Sequence, residues 1–253
     1  MSTYLYSPKK KVFQIVVKLM DTPGSLGAVL SLLGGRVNLV GTTSHALDDG
    51  TAIMSAFAET ISPSETAEKL SALIKSSHVA MDNQVTESSE GLLVDTFHTG
   101  VENSHGIPMV LISREGVAHM FDGLNKIFGS GGEFLLYREG FFVGESNAAR
   151  TAGVLGPGLA KKKVGDLMYL FSARGWGQAK WKGDAESKEQ IVTVEDCFEC
   201  SSGEGIKTGC GFMRGYLDGW AKSILGREVK CVETRCRFKG DDACEFTLNP
   251  GPK

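Results

Sequence analysis

Cysteines are the residues of this 253-residue chain whose types and spacing offer the clearest chemistry. Six are present, and Cys210, Cys231, Cys236 and Cys244 lie close together near the end of the sequence. A tetrahedral zinc site needs four nitrogen, oxygen or sulfur ligands, usually thiolates and sometimes one carboxylate. Glu233 precedes Cys236 by three residues, so Cys210, Glu233, Cys236 and Cys244 could complete such a site. Cys231 is a competing ligand, because it falls on the same strand face as Glu233.

Local patterns around these cysteines predict one helix followed by a hairpin: a helix from Cys210 to Gly226, a strand at 228–234, a turn at 239–242 and a strand at 243–248. The hairpin would let Cys236 and Cys244 face each other, and the helix that starts at Cys210 would pack on it. Glycines recur at every fourth position of that helix, at Gly211, Gly215 and Gly219. Since glycine weakens a helix, this spacing predicts close approach of another backbone.

A second interpretation is that these cysteines are small buried hydrophobic residues, since free cysteine is commonly buried. Their separations match no generic zinc pattern, so spacing alone leaves both interpretations open. All five histidines precede residue 120, which favours thiolate and carboxylate ligands for any metal bound here. Cys197 and Cys200 form a C-x-x-C pair on a predicted strand, which is a weak redox signal without a thioredoxin-like βαβ context.

The segment resembles the C-terminal signature of the 4-vinyl reductase domain family. It contains a Cys-x4-Gly-x3-Gly helix from Cys210, followed by Gly-Arg-Glu-Val-x3-Glu-x2-Cys-x3-Gly-x3-Cys-Glu-Phe from Gly226. The sensor domains of phenol-responsive bacterial activators belong to this family. The resemblance implies a zinc ion bound by Cys210, Glu233, Cys236 and Cys244, and it covers about residues 107–248. On this assignment Cys197 and Cys200 lie outside the metal site.

Composition and charge exclude several classes of function. The formal net charge is −3, so electrostatics indicate no direct nucleic-acid binding. No apolar run reaches transmembrane length, and the N-terminus lacks the apolar core of a signal peptide. We therefore expect a cytoplasmic protein without a membrane partner. In a reducing compartment, clustered cysteines are more often metal ligands than disulfides.

The N-terminal third of the chain shows a βαββαβ order of predicted elements. The strands are expected at 12–19, 37–46, 51–59 and 79–86, and the helices at 26–33, capped by Ser25, and after 62–65. This order predicts a ferredoxin-like unit. Together with the remaining helices and strands, it places the protein in the α+β class.

This unit also resembles an ACT domain, through the Asp-Thr-Pro-Gly-Ser-Leu segment that begins at Asp21 and the Val-Asn-Leu segment around Asn38. ACT domains are regulatory modules that often form side-by-side dimers and bind amino acids. The resemblance implies a homodimer and ligand-binding positions at Asp21, Gly24, Leu26 and Asn38. A loop at a helix N-terminus offers backbone N–H groups to a carboxylate. A dimerisation module without a ligand is an equally open interpretation.

The predicted domains are residues 1–90, ACT-like, and residues 107–253, similar to the 4-vinyl reductase domain. Residues 91–106 are interpreted as a linker, with His98 and His105 as exposed loop residues. The second domain is predicted to contain these elements: a helix through residue 128 capped by Ser113, a strand at 133–137, a helix that begins near Gly140 and breaks at Pro157, a helix at 164–173, and strands at 176–182 and 190–198.

The family resemblance further implies a pocket for a small hydrophobic or aromatic ligand, with Trp176 and Trp181 in the matching region. No histidine aligns with the family's ligand-binding histidine, so phenol itself is not specifically indicated. Both tryptophans could instead be core residues, as large aromatic side chains usually are. The two interpretations remain open at this point.

Catalysis has little support in the sequence. No G-x-G-x-x-G fingerprint follows a strand, and no flavin or nicotinamide site is apparent, so no catalytic residue is assigned. The sequence therefore favours a dimeric sensor with a structural zinc site, acting through a partner protein or through dimer geometry. Alternatives are an enzyme or assembly factor that acts on a tetrapyrrole vinyl group, and a scaffold similar to trafficking subunits.

Overall fold

The computed structural model describes residues 4–97, 101–102, 108–187, 189–200 and 209–251. It divides into two units, Met1–Met109 and Val110–Lys253. His98 and His105, expected to be exposed, lie outside the described residues. Among the described residues, no helix combines the length and apolar character needed to cross a membrane.

The first unit is an antiparallel sheet covered by two helices. Its elements are β1 (Tyr4–Tyr6), β2 (Val12–Met20), α1 (Ser25–Leu33), β3 (Val37–Ala46), β4 (Thr51–Thr60), α2 (Ala67–Lys75), β5 (Ala80–Ser88), β6 (Leu92–Val94), β7 (Val101–Glu102) and β8 (Pro108–Met109). The main sheet has the order β3-β4-β2-β5, and β1-β6 and β7-β8 form separate pairs. The predicted βαββαβ order is thus present, whereas membership of the ACT family stays a prediction.

Alternation along β2 gives the sheet two buried faces. Phe13, Ile15 and Val17 belong to the core formed with the apolar faces of α1 and α2. On the opposite face, Val12 packs in a smaller cluster with residues of β1, β4 and β6. Because β6 pairs with β1, part of the predicted linker is an ordered strand of this unit. Gln14 is also buried and hydrogen-bonds the Asp95–Thr96 segment that follows β6.

The starts of α1 and α2 differ from their predicted caps. Gly24, at φ 91°, is the N-cap of α1, and Ser25 makes no capping hydrogen bond. The Ser25 hydroxyl instead lies 2.7 Å from the Thr22 hydroxyl. A residue with positive φ at this turn favours glycine, which leaves Ser25 as the first helical residue. Thr66 caps α2 by accepting a hydrogen bond from the Lys69 amide at 3.3 Å.

The second unit combines two long packed helices with a four-stranded sheet. Its elements are α3 (Arg114–Phe128), α4 (Ser130–Leu155), α5 (Pro157–Lys162), α6 (Val164–Leu167), α7 (Tyr169–Ala173), β9 (Gln178–Lys182), β10 (Gln190–Glu195), a 3-10 turn (Phe198–Cys200), α8 (Gly211–Leu225), β11 (Val229–Arg235), a 3-10 turn (Arg237–Lys239) and β12 (Cys244–Pro250). The sheet is antiparallel in the order β11-β12-β10-β9.

Helix α4 corrects the prediction of a strand at 133–137, because this segment is helical. Short apolar runs cannot be assigned to helix or strand by periodicity alone. The buried residues Leu136, Gly140, Gly144 and Ala148 recur every four positions, which is helical spacing. Gly140 therefore lies inside a long helix and does not begin one.

Glycines allow α4 and α8 to pack backbone against backbone. A Cβ on any of four glycines would overlap a carbonyl oxygen of the other helix: Gly140 with Phe212, Gly144 with Tyr216, Gly215 with Tyr137, and Gly219 with Phe141. This confirms the close approach predicted from the glycine spacing of α8. It also fixes the axial position of α8, whose first turn carries Cys210.

Two other predicted elements are shorter than expected. The helix expected at 164–173 is divided at Met168 into α6 and α7. The strand expected at 190–198 ends at Glu195, and Asp196 has a positive φ of 51°. Backbone in the left-handed region cannot continue a strand. The chain therefore turns at Asp196 and places Cys197 and Cys200 beside the sheet.

Candidate metal centre and neighbouring cavities

Three of the expected metal ligands meet where α8, β11 and β12 converge. Cys210 is the N-cap of α8, Cys236 follows β11, and Cys244 begins β12. The Sγ atom of Cys210 lies 4.0 Å from that of Cys236 and 3.7 Å from that of Cys244. All three side chains are buried, so the hairpin and helix arrangement inferred from sequence brings three thiols together in the core.

Glu233 joins this group from β11. One carboxylate oxygen of Glu233 and the three sulfurs lie within 4.8 Å of one another. The structure thus brings together all four residues expected from the sequence. The Glu233 carboxylate also accepts hydrogen bonds from the Cys210 backbone amide, at 3.2 Å to Oε1 and 3.0 Å to Oε2.

Two further thiols, which the sequence interpretation left outside the site, lie in the same cluster. The Sγ atom of Cys200 is 3.1 Å from Cys210, 3.4 Å from Cys244 and 3.6 Å from Cys236. Cys197 forms a second close group with Cys200, Cys210 and Cys244. The available signal was the C-x-x-C pair itself. Its significance depends on the pairing of β10 with β12, which aligns Val194 with Cys244 and brings the end of β10 to the cluster.

The geometry and chemistry of the cluster suit a zinc ion. A tetrahedral site with Zn–S bonds of about 2.3 Å has sulfur–sulfur separations of about 3.8 Å. The separations from Cys210 to Cys236 and Cys244 are close to that value. Hydrogen bonds from Cys197 and Cys210 lower the pKa of Cys200 to about 7, and hydrogen bonds from neighbouring thiols also lower the pKa of Cys244. Thiolates are the form of cysteine that binds metals.

Cys231 stands apart from the cluster. Its side chain is buried in β11, and burial raises the pKa of its thiol. Its amide donates a hydrogen bond to the Asp218 carboxylate of α8. Neither of the two close groups of possible ligands contains it, so its competition with Glu233 is not realised.

Glu199 is a buried carboxylate that the sequence interpretation missed. It accepts hydrogen bonds from the amides of Phe212 at 3.0 Å and Met213 at 2.8 Å, in the first turn of α8. Burial raises the pKa of Glu199 to about 8. Because Glu199 is adjacent to Cys200, these bonds attach the 3-10 turn to the same helix terminus that carries Cys210.

Trp176 and Trp181 occupy different environments. The Trp176 ring contacts four other aromatic rings at centroid distances of 4.8–6.0 Å: Phe171, Phe198, Phe212 and Tyr216. Trp181 lies 6.3 Å from Trp220, and its Nε1 donates to the Gly183 carbonyl at 3.0 Å. Both side chains are half-buried, and their ring contacts are those of core residues.

A cavity of about 450 Å³ lies between α4, α8 and β11. It is lined by Ser130, Glu133, Phe134, Tyr137, Arg214, Asp218, Lys230, Cys231 and Val232. The Tyr137 hydroxyl donates to Asp218 Oδ2 at 2.6 Å. Burial and the neighbouring Asp218 raise the pKa of Tyr137, and burial raises the pKa of Asp218. The cavity thus combines aromatic surface with charged and hydrogen-bonding groups.

A second cavity, of about 200 Å³, lies in the first unit beside the turn between β2 and α1. Asp21, Gly24 and Leu26 line it, together with Ser44, His45 and Ala46 of β3. Three of the four ACT-like positions therefore share one cavity. The fourth, Asn38, does not line it, because it lies at the opposite end of β3, where it pairs with Glu59.

Comparisons with known proteins identify one family in the second unit. Residues 190–250 match the sequence model of the vinyl-4-reductase domain. Two uncharacterized proteins of Methanocaldococcus jannaschii are similar to this chain. One is 39% identical over 64 residues, which is 25% of this chain and 37% of that protein. The other is 31% identical over 94 residues, covering 37% and 50% respectively. The chain thus spans half or less of the length of these relatives.

Three solved structures are also similar. The phenol-responsive sensory domain of the transcription activator PoxR, solved with phenol, has a TM-score of 0.46 at 18% identity, covering 56% of this chain and 77% of that one. A trafficking protein particle complex subunit 3 from Naegleria fowleri, covalently bound to palmitic acid, has a TM-score of 0.45 at 16% identity, with coverages of 55% and 95%. A vinyl-4-reductase family protein from Methanocaldococcus jannaschii has a TM-score of 0.38 at 19% identity, with coverages of 57% and 85%.

Proposed function

We propose that this chain is a cytoplasmic small-molecule sensor whose second unit is stabilised by a structural zinc ion. The observation that carries the proposal is the convergence of the buried thiols of Cys210, Cys236 and Cys244 from three separate elements. Glu233 and Cys200 both reach this group and compete for the fourth ligand position.

Zinc at this point would connect the N-terminus of α8 to both strands of the hairpin. Four protein ligands would close the coordination sphere, and closed sites are structural, whereas catalytic sites keep an open position. Metal binding at such a site contributes directly to the free energy of folding. The ion would therefore hold α8 and β11 in place, which are two of the three walls of the 450 Å³ cavity.

That cavity supports binding of a small aromatic ligand. Its volume falls within the range of about 300–1,000 Å³ that is typical of ligand sites. Phe134 and Tyr137 offer aromatic surface, and Asp218 and Arg214 offer partners for a polar substituent. We favour this cavity over the neighbourhood of Trp176 and Trp181, because rings of the protein already pack around Trp176.

The first unit would supply dimerisation and a second input. Strand β3 is an edge of its sheet, and most of its residues are exposed. An exposed edge can pair with the same edge of a second copy, which favours a homodimer. The 200 Å³ cavity beside Asp21 and Gly24 is suited to an amino acid, whose carboxylate would meet backbone amides at the start of α1. The output would pass through dimer geometry or a partner protein.

Ligand binding without turnover is the test of a sensor. Full-length protein would be titrated with phenol as the probe, and binding would be followed by calorimetry with and without a chemical reductant. Saturable binding with recovery of unchanged phenol supports the sensor. Consumption of reductant by an added vinyl tetrapyrrole would contradict it and favour an enzyme, and absence of binding by any aromatic probe would favour a scaffold.

A further inference from the structure

We propose, on the basis of the metal site described above, that Cys200 and not Glu233 supplies the fourth ligand. The metal would then be bound by four thiolates, from Cys200, Cys210, Cys236 and Cys244. Each of these residues comes from a different local element: the 3-10 turn after β10, the start of α8, the end of β11 and the start of β12.

The sulfur positions support this set directly. Cys200 Sγ lies 3.1–3.6 Å from each of the other three sulfurs, while Cys210 lies 3.7 and 4.0 Å from Cys244 and Cys236. Cys236 and Cys244 lie within 4.8 Å of each other. A small outward adjustment of Cys200 would bring these separations to the value of about 3.8 Å expected for four thiolates around zinc.

Glu233 already has another function in this arrangement. Both of its carboxylate oxygens are within hydrogen-bond distance of the Cys210 amide, at the N-terminus of α8. A carboxylate at a helix N-terminus also interacts favourably with the helix dipole. If Glu233 turned towards the metal, it would weaken the interaction with the amide of a ligand residue. In its present position it orients Cys210, as residues adjacent to metal ligands commonly do.

Cys200 is held in position by its neighbours. Glu199 binds two amides of α8, and the Cys200 amide donates to the Cys197 carbonyl at 3.0 Å, which closes the 3-10 turn. Cys200 is therefore fixed relative to Cys210 before any metal binds. Cys197 reaches Cys200, Cys210 and Cys244 but is not grouped with Cys236. We assign Cys197 to hydrogen bonding with the bound thiolates, outside the coordination sphere.

The number of thiolates can be measured on full-length protein. X-ray absorption at the zinc edge of the wild type should fit four sulfur ligands and no oxygen. With Co²⁺ in place of zinc, Cys200→Ser should lose about a quarter of the sulfur-to-metal charge-transfer intensity, since one of four thiolates is removed. Glu233→Gln should retain the full intensity, and Cys231→Ser is the matched control because its thiol lies outside the cluster.

Three outcomes would overturn this assignment. Three sulfurs and one oxygen in the wild type would make Glu233 the ligand, and so would an unchanged spectrum in Cys200→Ser. Loss of intensity in Cys197→Ser with retention in Cys236→Ser would select the other group of thiols. The wild-type absorption measurement requires no variant to fold. Wild-type protein that binds no metal would refute the proposed zinc site as well, which separates the two failures.

Discussion

The Cα of Gly215 in α8 faces the carbonyl oxygen of Tyr137 in α4, with no space for a Cβ between them. Gly215→Ala should therefore force the helices apart and lower the free energy of unfolding by about 3 kcal/mol or more. Gly153, in the last part of α4, has no atom within 4 Å of its Cβ position and provides the control. Gly153→Ala should raise stability by roughly 0.5–1 kcal/mol. Chemical denaturation of both variants checks this, and equal effects would contradict the proposed contact.

The same pair of helices shows how much of this unit the sequence could predict. The glycine spacing, the helix from Cys210 and the following hairpin are local patterns, and all three are present. Helix α4 was misassigned at 133–137, because a short apolar run has no distinguishing period and its buried face appears only against α8. Cys200 was missed for a similar reason, since only the pairing of β10 with β12 brings it to Cys244.

Asp218 should make stability depend on pH. Burial raises its pKa in the folded protein above the ordinary value of 3.8, so the folded state binds this proton more tightly than the unfolded state. Its contribution to stability is therefore greatest below the unfolded pKa and is lost as pH rises through the folded pKa. The thermal midpoint of wild type should fall relative to Asp218→Asn from acidic to neutral pH. A relative rise would mean that the hydrogen bonds from Tyr137 and Cys231 outweigh burial.

Ligand binding should depend on the cavity between α4, α8 and β11. Tyr137→Phe removes the hydroxyl that donates to Asp218 and keeps the ring. It should weaken phenol binding several-fold while the melting temperature changes little. Trp176→Leu is the comparison, because its ring packs among Phe171, Phe198 and Tyr216. That variant should lower stability by about 3 kcal/mol. If Trp176→Leu abolished binding and stayed stable, the ligand would lie beside Trp176.

The first unit should associate through its sheet edge. A fragment that ends at residue 97 keeps β6, which pairs with β1 and covers the second face of the sheet. Analytical ultracentrifugation of this fragment and of the full chain should give dimers. Thr43→Pro, at an exposed position of β3, should shift both towards monomer, because proline removes a backbone donor and disturbs edge pairing. Monomeric wild-type protein at high concentration would exclude the dimer.

Metal content tests the central claim most directly. Freshly purified full-length protein should contain one zinc ion per chain by elemental analysis and native mass spectrometry. Cys236→Ser should lose most of the metal and melt at a lower temperature, because binding at this site contributes to folding. Cys231→Ser should retain zinc, since its thiol lies outside the cluster. Zinc-free wild type, or zinc retained in Cys236→Ser and lost in Cys231→Ser, would contradict the proposed metal centre.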